Sequence, residues 1–398
     1  MLTQIEGSKA IAEAVARCRP EVVCAYPISP QTHIIEAIGA MVKRGDLARC
    51  EFINVESEYA AMSVLIGSSA AGARSYTATA SQGLLFMLEA VYSAAGLGLP
   101  IVMTLANRAI GAPINIWNDH SDAMAARDTG WIQLFAESNQ EAVDLHIQAF
   151  KLAEALSVPV MVCMDGFILT HAVEGVDLLD ADLVDRFLPP FEPRQLLDPA
   201  NPVSIGAMVG PEAFEEVKVL AHLRLLDALE EIPRVAAEFE ALSGRASGGL
   251  VSGYRLENAE VAVVAMGSVL GTLKDAVDAR RELGERVGVL GVSTFRPFPE
   301  AAVTDALGHV ERVVVLEKAF NPGGRGVLAS DVALALAGRS VTSVIAGLGG
   351  RPITRASLER TVGRAVAGTL PAMSFLDLND AEVAAERARV GASEGVAR

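Results

Sequence analysis

The chain has 398 residues, of which 51% are hydrophobic, enough apolar side chain for two hydrophobic cores. Its formal net charge of −16 disfavours nucleic acid as a partner, because no excess of Lys and Arg is available to contact phosphates. The four cysteines form no C-x-x-C pair, which argues against a zinc or iron–sulfur site of neighbouring residues and favours a reducing, cytoplasmic compartment. Glu89 and Pro100 interrupt the most apolar stretch, 84–105, so we expect no membrane-spanning segment.

The first part of the chain alternates short β-branched runs with longer segments rich in Ala, Leu and Glu. Five runs predict strands, at 21–25, 50–54, 74–77, 99–105 and 158–164. The segments between them have the periodicity of helices. This alternation is typical of a doubly wound parallel sheet, so the predicted fold class is α/β.

Prolines and turn residues dominate from 170 to 205, and an acidic helical segment follows at 211–242. We interpret both as a bridge that extends the first domain, placed at 1–235. After a run rich in Gly and Ser the alternation resumes, with strands predicted at 261–265, 287–291, 313–317 and 341–346 and helices at 270–283 and 325–337. This predicts a second, smaller α/β domain at 250–370. Residues 371–398 form a tail, whose end, 379–398, is predicted as a terminal helix or a frayed segment.

A loop with two prolines, 26–32, follows the first predicted strand. In a doubly wound sheet the carboxyl ends of the strands meet at one edge, where ligands bind. Ser29, Gln31 and Thr32 offer hydrogen bonds there, so the loop is a candidate ligand contact. The alternative is a rigid strand-to-helix turn with a helix N-cap.

Two carboxylates, Glu56 and Glu58, follow the strand at 50–54 and precede a helix rich in small residues. Acidic residues in a first helical turn often only complement the helix dipole. Glu58 is the better functional candidate, because the apolar residues after it predict a closely packed helix start. A carboxyl group held there can share a proton with a ligand nitrogen.

The loop at 106–122 crowds a cation, carboxylates, a His, Asn residues and a Trp directly after an apolar strand. Arg108 has a planar guanidinium that suits bidentate binding of a substrate carboxylate, and a salt-bridge anchor is the alternative. Asp119, His120 and Asp122 resemble metal ligands. Their spacing fits capping and loop hydrogen bonds better, so we predict no metal on this chain.

A glycine pattern at 266–271 lies between a predicted strand and a predicted helix and could cradle a phosphate. It lacks the third glycine of a dinucleotide fingerprint, which favours a plain strand-to-helix turn. The sequence contains no G-x-S-x-G segment, which argues against a hydrolase of the Ser-His-Asp type.

These segments together resemble the α subunit of the multi-subunit 2-oxoacid:ferredoxin oxidoreductases, in particular the pyruvate synthase type, over nearly the whole chain. The motifs in the first domain are YPISP at 26–30, ESE at 56–58, TASQGLL at 79–85, NRAIGAPINIWNDHSD at 107–122, RDTGW at 127–131 and MDGFILTH at 164–171. In the second domain, TFRPFP at 294–299 and VVLEK at 314–318 are similar to that family's transketolase-C-terminal-like domain.

The resemblance implies that the first domain is a thiamine diphosphate domain of the pyrimidine-binding type. It implies oxidative decarboxylation of a 2-oxoacid, pyruvate first among the candidates. Glu58 matches the glutamate that hydrogen-bonds the aminopyrimidine ring of the cofactor, and Arg108 matches the residue that binds the substrate carboxylate. Ser29 stands where the family usually has Thr, contacting the keto or carboxylate oxygen, and Pro27 matches the proline that lines this pocket.

Two absences in the sequence imply partner chains. The chain has neither the G-D-G and N-N segments that bind diphosphate and Mg²⁺ in thiamine enzymes nor cluster-binding cysteines. The resemblance therefore implies a β subunit with the diphosphate and Mg²⁺ half-site, γ- and δ-type subunits with further domains, iron–sulfur clusters on these partners, and CoA as co-substrate. Ferredoxins are generally acidic, as this chain is, so we expect ferredoxin or another electron acceptor to dock on another subunit.

The sequence leaves three alternatives open. The same mechanism could act on phenylglyoxylate, a branched-chain 2-oxoacid or 2-oxoglutarate. The chain could be a non-catalytic assembly subunit, although the presence of Glu58 and Arg108 argues against this. A stand-alone thiamine enzyme of the transketolase kind is disfavoured, because the diphosphate half of the site is missing.

Overall fold

The computed structural model describes residues 2–396, with side chains as far as residue 389. The strands are β1 (Leu2–Glu6), β2 (Val22–Ala25), β3 (Glu51–Asn54), β4 (Ser75–Thr79), β5 (Val102–Asn107), β6 (Ile132–Phe135), β7 (Val160–Asp165), β8 (Val173–Asp177), β9 (Val251–Tyr254), β10 (Val261–Ala265), β11 (Val287–Val292), β12 (Thr294–Arg296), β13 (Arg312–Glu317), β14 (Val341–Ile345) and β15 (Met373–Phe375).

The helices alternate with the strands for most of the chain. They are α1 (Gly7–Arg17), α2 (Thr32–Arg44), α3 (Glu58–Ala70), α4 (Ser81–Phe86), α5 (Leu88–Gly96), α6 (Ser121–Ala125), α7 (Asn139–Leu156), α8 (Ala181–Phe187), α9 (Phe214–Ser243), α10 (Val269–Glu282), α11 (Glu300–Leu307), α12 (Val327–Ala335), α13 (Arg355–Val366) and α14 (Asp380–Val396). None of these helices combines the length and the apolar composition that crossing a bilayer requires.

The first sheet has seven strands in the order β12-β6-β7-β5-β4-β2-β3, and every neighbouring pair except β12 with β6 is parallel. Its two faces are covered separately. Val160 and Val162 of β7 belong to the core beneath α1, α2 and α7, whereas Met161 and Cys163 face the core beneath α3 and α5. The predicted doubly wound parallel sheet is confirmed.

The five strands predicted in this region are present with shifted ends, but three others were missed. β6 was read as part of a helical region, because it is short and contains polar Gln133, which is buried and donates a hydrogen bond to Ala123 O at 2.9 Å. β1 and β8 form an antiparallel ribbon of their own. Such a pairing between distant segments leaves no turn signal in the sequence between them.

The second sheet has the order β15-β14-β13-β10-β11-β9 and is parallel except at β9. The four strands predicted here and the two predicted helices are confirmed as β10, β11, β13, β14, α10 and α12. One short strand from this part of the chain does not join the second sheet. β12 follows β11 along the chain but joins the first sheet, where Thr294 pairs with Leu134 and Arg296 with Gln133. The boundaries placed at 235, 250 and 370 stay predictions.

One cluster of buried apolar residues is shared by both sheets. It includes Met62 of α3 and Leu105 of β5 together with Val264 of β10, Leu290 of β11 and Phe295 of β12. A second cluster lies on the other face of the first sheet, and a third lies between the second sheet and α10 and α13. The shared cluster fixes the second sheet against the helices that start at the carboxyl edge of the first.

The acidic segment predicted as a helix at 211–242 is α9. Its second half packs on α7 and α8 through Ala228, Ile232 and Phe239, whereas Leu220 and Leu223 in its first half are exposed. The tail predicted at 379–398 contains α14, whose side chains are exposed as far as residue 389. The last two residues of that prediction lie outside the part of the chain that the structure describes.

A buried chain of polar side chains crosses the core of the first sheet. Tyr76 OH lies 2.5 Å from Thr104 Oγ1, and Thr104 Oγ1 lies 2.5 Å from His146 Nε2. His146 Nδ1 lies 2.6 Å from Ala142 O, so Nδ1 carries the proton and Nε2 accepts. Burial lowers the pKa of His146 to about 4, although the Ala142 carbonyl favours the charged form.

We expect this neutral histidine to make stability depend on pH. The unfolded chain returns the ring to its ordinary pKa of 6.5, so the unfolded state binds more protons than the folded state between about pH 6.5 and 4. The contribution of His146 is complete above this window and falls by about 3 kcal/mol as the pH drops to 4. A His146→Gln variant should therefore lose less stability on acidification than the parent, and parallel unfolding curves against pH would contradict this.

Candidate active site

The loops after β2, β3, β4 and β5 lie at one edge of the first sheet, because these strands are parallel neighbours. Each residue proposed from the sequence lies on one of these loops or, for Glu58, directly after it. Pro27 and Ser29 follow β2, Glu58 follows β3 and Arg108 follows β5. The fold thus brings the predicted residues to the same edge.

Glu58 is the first residue of α3 and is 7% exposed. Ser57 caps this helix by accepting a hydrogen bond from Ala60 N at 3.2 Å. No residue in the described part of the chain donates a hydrogen bond to the Glu58 carboxylate. The carboxylate at the start of this helix is therefore available to a ligand nitrogen, which a role limited to the helix dipole would not require.

The first turn of α4 lies against Glu58. A Cβ atom at Gly83 would lie 2.6 Å from Glu58 Oε1 and 2.6 Å from Thr79 Oγ1, so a side chain here would displace one or both of these polar groups. Thr79 Oγ1 is buried and has no hydrogen-bond partner among the described residues. Two polar groups beside Gly83 therefore lack protein partners, as expected for a site that takes a polar ligand.

Arg108 joins the loops after β2, β4 and β5. Its Nη1 donates to Ser29 O at 2.8 Å, its Nε donates to Asn115 O at 3.2 Å, and its Nη2 lies 3.4 Å from Gln82 Oε1. These partners are neutral. Burial lowers the pKa of the guanidinium, and the Asp122 carboxylate partly offsets this effect. Arg108 is therefore a buried cation whose guanidinium makes no ion pair within the described chain, which disfavours the salt-bridge alternative.

Ser29 and Pro27 are exposed. Ser29 contacts Arg108 through its backbone carbonyl, and the role of its hydroxyl stays a prediction. The alternative of a side-chain N-cap in this loop is wrong, because α2 starts without one. Gln31 is fully buried and instead donates from Nε2 to Tyr26 O at 2.8 Å, which ties the loop to its own start.

The three residues that resemble metal ligands have separate partners. Asp119 Oδ1 accepts from Ser121 N at 2.9 Å, and His120 Nε2 lies 2.7 Å from a carboxylate oxygen of Asp165. Asp122 accepts hydrogen bonds from amides, two of them at 2.9 and 3.0 Å. The predicted loop hydrogen bonds are confirmed.

Asp165, at the end of β7, links the two halves of the chain. Its Oδ2 accepts from Lys318 Nζ at 2.6 Å and from Ser268 N at 3.1 Å, and its Oδ1 pairs with His120. Burial favours the neutral acid, but the Lys318 and His120 side chains outweigh burial and hold the pKa of Asp165 well below its usual range. Ser268 precedes α10, so a protein carboxylate occupies that helix N-terminus. The glycine pattern at 266–271 is therefore a structural turn.

Large exposed apolar side chains lie on the elements at this edge of the sheet. Tyr59 follows Glu58, Phe86 ends α4, and Ile114 and Trp117 lie in the loop after Arg108; all four are exposed, Ile114 by 79%. Exposed apolar side chains on neighbouring elements are typical of a face that another protein covers.

Two further residues, Gln82 and Asp122, contribute to the site without having been predicted from the sequence to do so. Gln82 lies in the first turn after β4, and the same argument that selected the other strand ends could have identified it. Asp122 acts through hydrogen bonds to Ser81 N and Arg108 N, which are distant in sequence. No local pattern predicts such contacts.

Two family descriptions match the chain. Residues 13–236 match the family Pyruvate flavodoxin/ferredoxin oxidoreductase, thiamine diphosphate-binding. Residues 259–358 match Pyruvate:ferredoxin oxidoreductase core domain II. The first match alone covers more than half of the chain and includes Pro27, Ser29, Glu58 and Arg108.

Several relatives are similar over nearly their full length. The pyruvate synthase subunit PorA of Methanosarcina barkeri is 48% identical over 387 residues, covering 94% of this chain and 96% of the relative. PorA of Methanothermobacter thermautotrophicus is 44% identical, covering 92% and 95%. The ketoisovalerate oxidoreductase subunit VorA of Pyrococcus horikoshii is 40% identical, covering 88% and 90%.

Solved structures show the same fold. The 2-oxoglutarate:ferredoxin oxidoreductase of Magnetococcus marinus superimposes with a TM-score of 0.72 at 18% identity over 92% of this chain, which spans 65% of that longer chain. A split-gene transketolase superimposes with a TM-score of 0.53 at 14% identity, over 92% of this chain and 99% of that one. The predicted thiamine-enzyme fold and the predicted family are confirmed: the chain belongs to the pyruvate flavodoxin/ferredoxin oxidoreductase family.

Proposed function

We propose that this chain is the α-type subunit of a thiamine diphosphate-dependent oxidoreductase that decarboxylates and oxidises pyruvate, with CoA as acyl acceptor. The observation that carries the proposal is the shared edge where unpartnered Glu58 and buried Arg108 flank the first turn of α4. Consecutive residues of that turn connect them, since Gln82 contacts Arg108 and Gly83 faces Glu58. The 48% and 44% identity to two pyruvate synthase subunits supports pyruvate as the substrate.

The residues beside Gly83 suit the aminopyrimidine end of the cofactor. Glu58 and Thr79 offer polar atoms without protein partners, and the missing side chain of Gly83 leaves room beside them. When bound, thiamine diphosphate supplies the nucleophilic carbon that attacks the keto group. Glu58 holds a proton at its carboxyl oxygen and exchanges it with a ring nitrogen, which is general acid–base catalysis by a positioned carboxyl group.

Arg108 binds the carboxylate of the 2-oxoacid. Its planar fork matches a carboxylate, and a charge-assisted hydrogen bond is stronger where water is excluded. A substrate carboxylate also supplies the negative charge that the buried guanidinium lacks within the chain. Ser29 donates its hydroxyl to the keto or carboxylate oxygen, and Pro27 lines the same pocket.

This chain supplies only the residues for the aminopyrimidine end of the cofactor and for the substrate, so the complete site requires partner subunits. We assign the diphosphate and Mg²⁺ ligands to a β subunit that covers the exposed rim of Tyr59, Phe86, Ile114 and Trp117. We assign the iron–sulfur clusters to the partner chains, with γ- and δ-type subunits completing the complex. Ferredoxin or another acceptor docks on one of these partners, because a net charge of −16 repels an acidic carrier. The four buried, unpaired cysteines suit a reducing cytoplasm.

A panel of 2-oxoacids tests the proposal. The complex, purified natively through this chain, is assayed with a low-potential dye on pyruvate, 2-oxoisovalerate, 2-oxoglutarate and phenylglyoxylate, each with and without CoA. We expect pyruvate to give the highest kcat/KM and to require CoA. Preference for 2-oxoisovalerate would instead favour the branched-chain assignment, to which the 40% identity with VorA points. Loss of dye reduction with all four acids would contradict the reaction itself.

A further inference from the structure

Asp122 lies directly behind the residues of the substrate pocket and is completely buried. Its Oδ2 accepts from Ser81 N at 2.9 Å and from Arg108 N at 3.0 Å. Its Oδ1 accepts from Asn107 Nδ2 at 2.9 Å and from Ala123 N at 2.8 Å. One side chain thus connects the end of β5, the start of α4 and the start of α6.

Only an ionised carboxylate satisfies this environment. All four groups around Asp122 are N–H donors, and each oxygen receives two of them. An asparagine has a single acceptor oxygen and would turn its own N–H bonds toward two of these donors. Burial raises the pKa of Asp122 to about 6, and the hydrogen bonds from Asn107, Ser81 and Arg108 oppose this rise. The carboxylate form therefore predominates at neutral pH.

The hydrogen bond to Ser81 fixes an unusual backbone conformation. Ser81 has a φ of 49°, in the left-handed region that residues other than glycine adopt rarely. Its amide is held by Asp122 and its hydroxyl donates to Ala109 O at 2.5 Å. Ser81 immediately precedes Gln82, so this conformation sets where the Gln82 side chain meets the Arg108 guanidinium.

We propose that Asp122 is a positioning residue for 2-oxoacid binding, which holds the Arg108 and Ser81 amides so that the Arg108 guanidinium and Gln82 face the substrate carboxylate. This proposal rests on the function proposed above for Arg108. Asp122 does not contact the substrate itself. Its removal should impair the binding of the 2-oxoacid more than the later chemical steps.

The test compares Asp122→Asn, Arg108→Lys and the double variant in the intact complex. We expect Asp122→Asn to raise the KM for the 2-oxoacid by about 10-fold to 10²-fold, the cost of disrupting a buried hydrogen-bonded group, with a smaller effect on kcat. Because Asp122 acts through Arg108, the same change in the Arg108→Lys background should cost less than about 2-fold. If Asp122 only stabilised the fold, the increases in KM of the two single variants would instead multiply in the double variant.

Asp119 provides a matched control. It is a buried carboxylate three positions earlier that accepts from Ser121 N at 2.9 Å and Gly349 N at 3.1 Å but bonds neither Ser81 nor Arg108. Asp119→Asn should therefore leave the KM nearly unchanged. An equal rise in both Asn variants would overturn the proposal, because it would show a general loosening of the loop.

The failure of this proposal differs from the failure of the function proposed for Arg108. If Arg108→Lys leaves the KM unchanged, both proposals are wrong. If Arg108→Lys raises the KM and Asp122→Asn does not, only the role of Asp122 is wrong.

A milder variant is available if the Asp122→Asn complex fails to assemble. Asn107→Ala removes one of the four donors and leaves the carboxylate in place. This milder variant should raise the KM about 3-fold on its own and should raise it no further in the Arg108→Lys background. If the two increases in KM multiply in the double variant, the role of Asp122 is refuted.

Discussion

Replacing Glu58 by Gln should lower the turnover of the complex by at least about 10²-fold, the contribution typical of a positioned general acid or base. Gln has the same shape and can still donate or accept a hydrogen bond, so the cofactor should remain bound. The amide cannot exchange a proton with a ring nitrogen at neutral pH. The loss should therefore appear in kcat, measured with saturating thiamine diphosphate and 2-oxoacid.

Glu56→Gln is the matched control for this experiment. Glu56 lies two residues earlier in the same loop and is exposed, so its replacement should leave kcat unchanged. Subunit stoichiometry and bound thiamine diphosphate are measured on both variants, which separates chemistry from assembly. Unchanged turnover in Glu58→Gln would instead support a non-catalytic assembly subunit.

Arg108→Lys should raise the KM for the 2-oxoacid by about 10²-fold. Lysine keeps the charge but loses the planar fork, and a hydrogen bond to a charged group contributes about 1.5–3 kcal/mol. Loss of one such bond changes an equilibrium by about 10-fold to 10²-fold. Initial rates over a range of pyruvate concentrations measure the change directly.

Arg127→Lys provides the control for charge-conserving replacement. Arg127 follows α6, donates from Nη1 to Met124 O at 2.8 Å, and hydrogen-bonds neither Ser29 nor Gln82. Its replacement should leave the KM for pyruvate unchanged. A fall in kcat at unchanged KM in Arg108→Lys would mean that Arg108 supports the loop and does not bind the substrate carboxylate.

The sequence predicted the fold well wherever local periodicity decides structure. β10 was predicted at its observed bounds, and the neighbouring strands of both sheets were placed within a few residues. The strands that were not predicted are β6, the ribbon of β1 with β8, β9, β12 and β15. Each is short or pairs with a distant segment, so its formation depends on tertiary contacts that no local pattern records.

The features of the site likewise fall into those that the sequence indicates and those that only the packing reveals. Glu58 and Arg108 were found because they stand at the carboxyl ends of strands, a position that the alternation of elements already indicates. Glu58 lacks a hydrogen-bond partner among the described residues, and the buried Arg108 guanidinium lacks a charged one. Both properties became apparent only from the packing of Gly83, Thr79 and Gln82 around them. Capping and loop hydrogen bonds were predicted for Asp122, but its partners were not: it accepts from Ser81 N, Asn107 Nδ2, Arg108 N and Ala123 N.

β12 has a consequence for how this chain could be divided. The first family segment ends at residue 236, and the second begins at residue 259. The strand Thr294–Arg296 of the second segment nevertheless pairs with β6 and completes the sheet of the first. A gene split between them would produce a first polypeptide with β6 as an open edge, and such edges recruit foreign strands and aggregate. The second polypeptide would have to donate its strand in trans. The two segments are therefore not interchangeable modules, and shuffling either one requires the matching edge of the other.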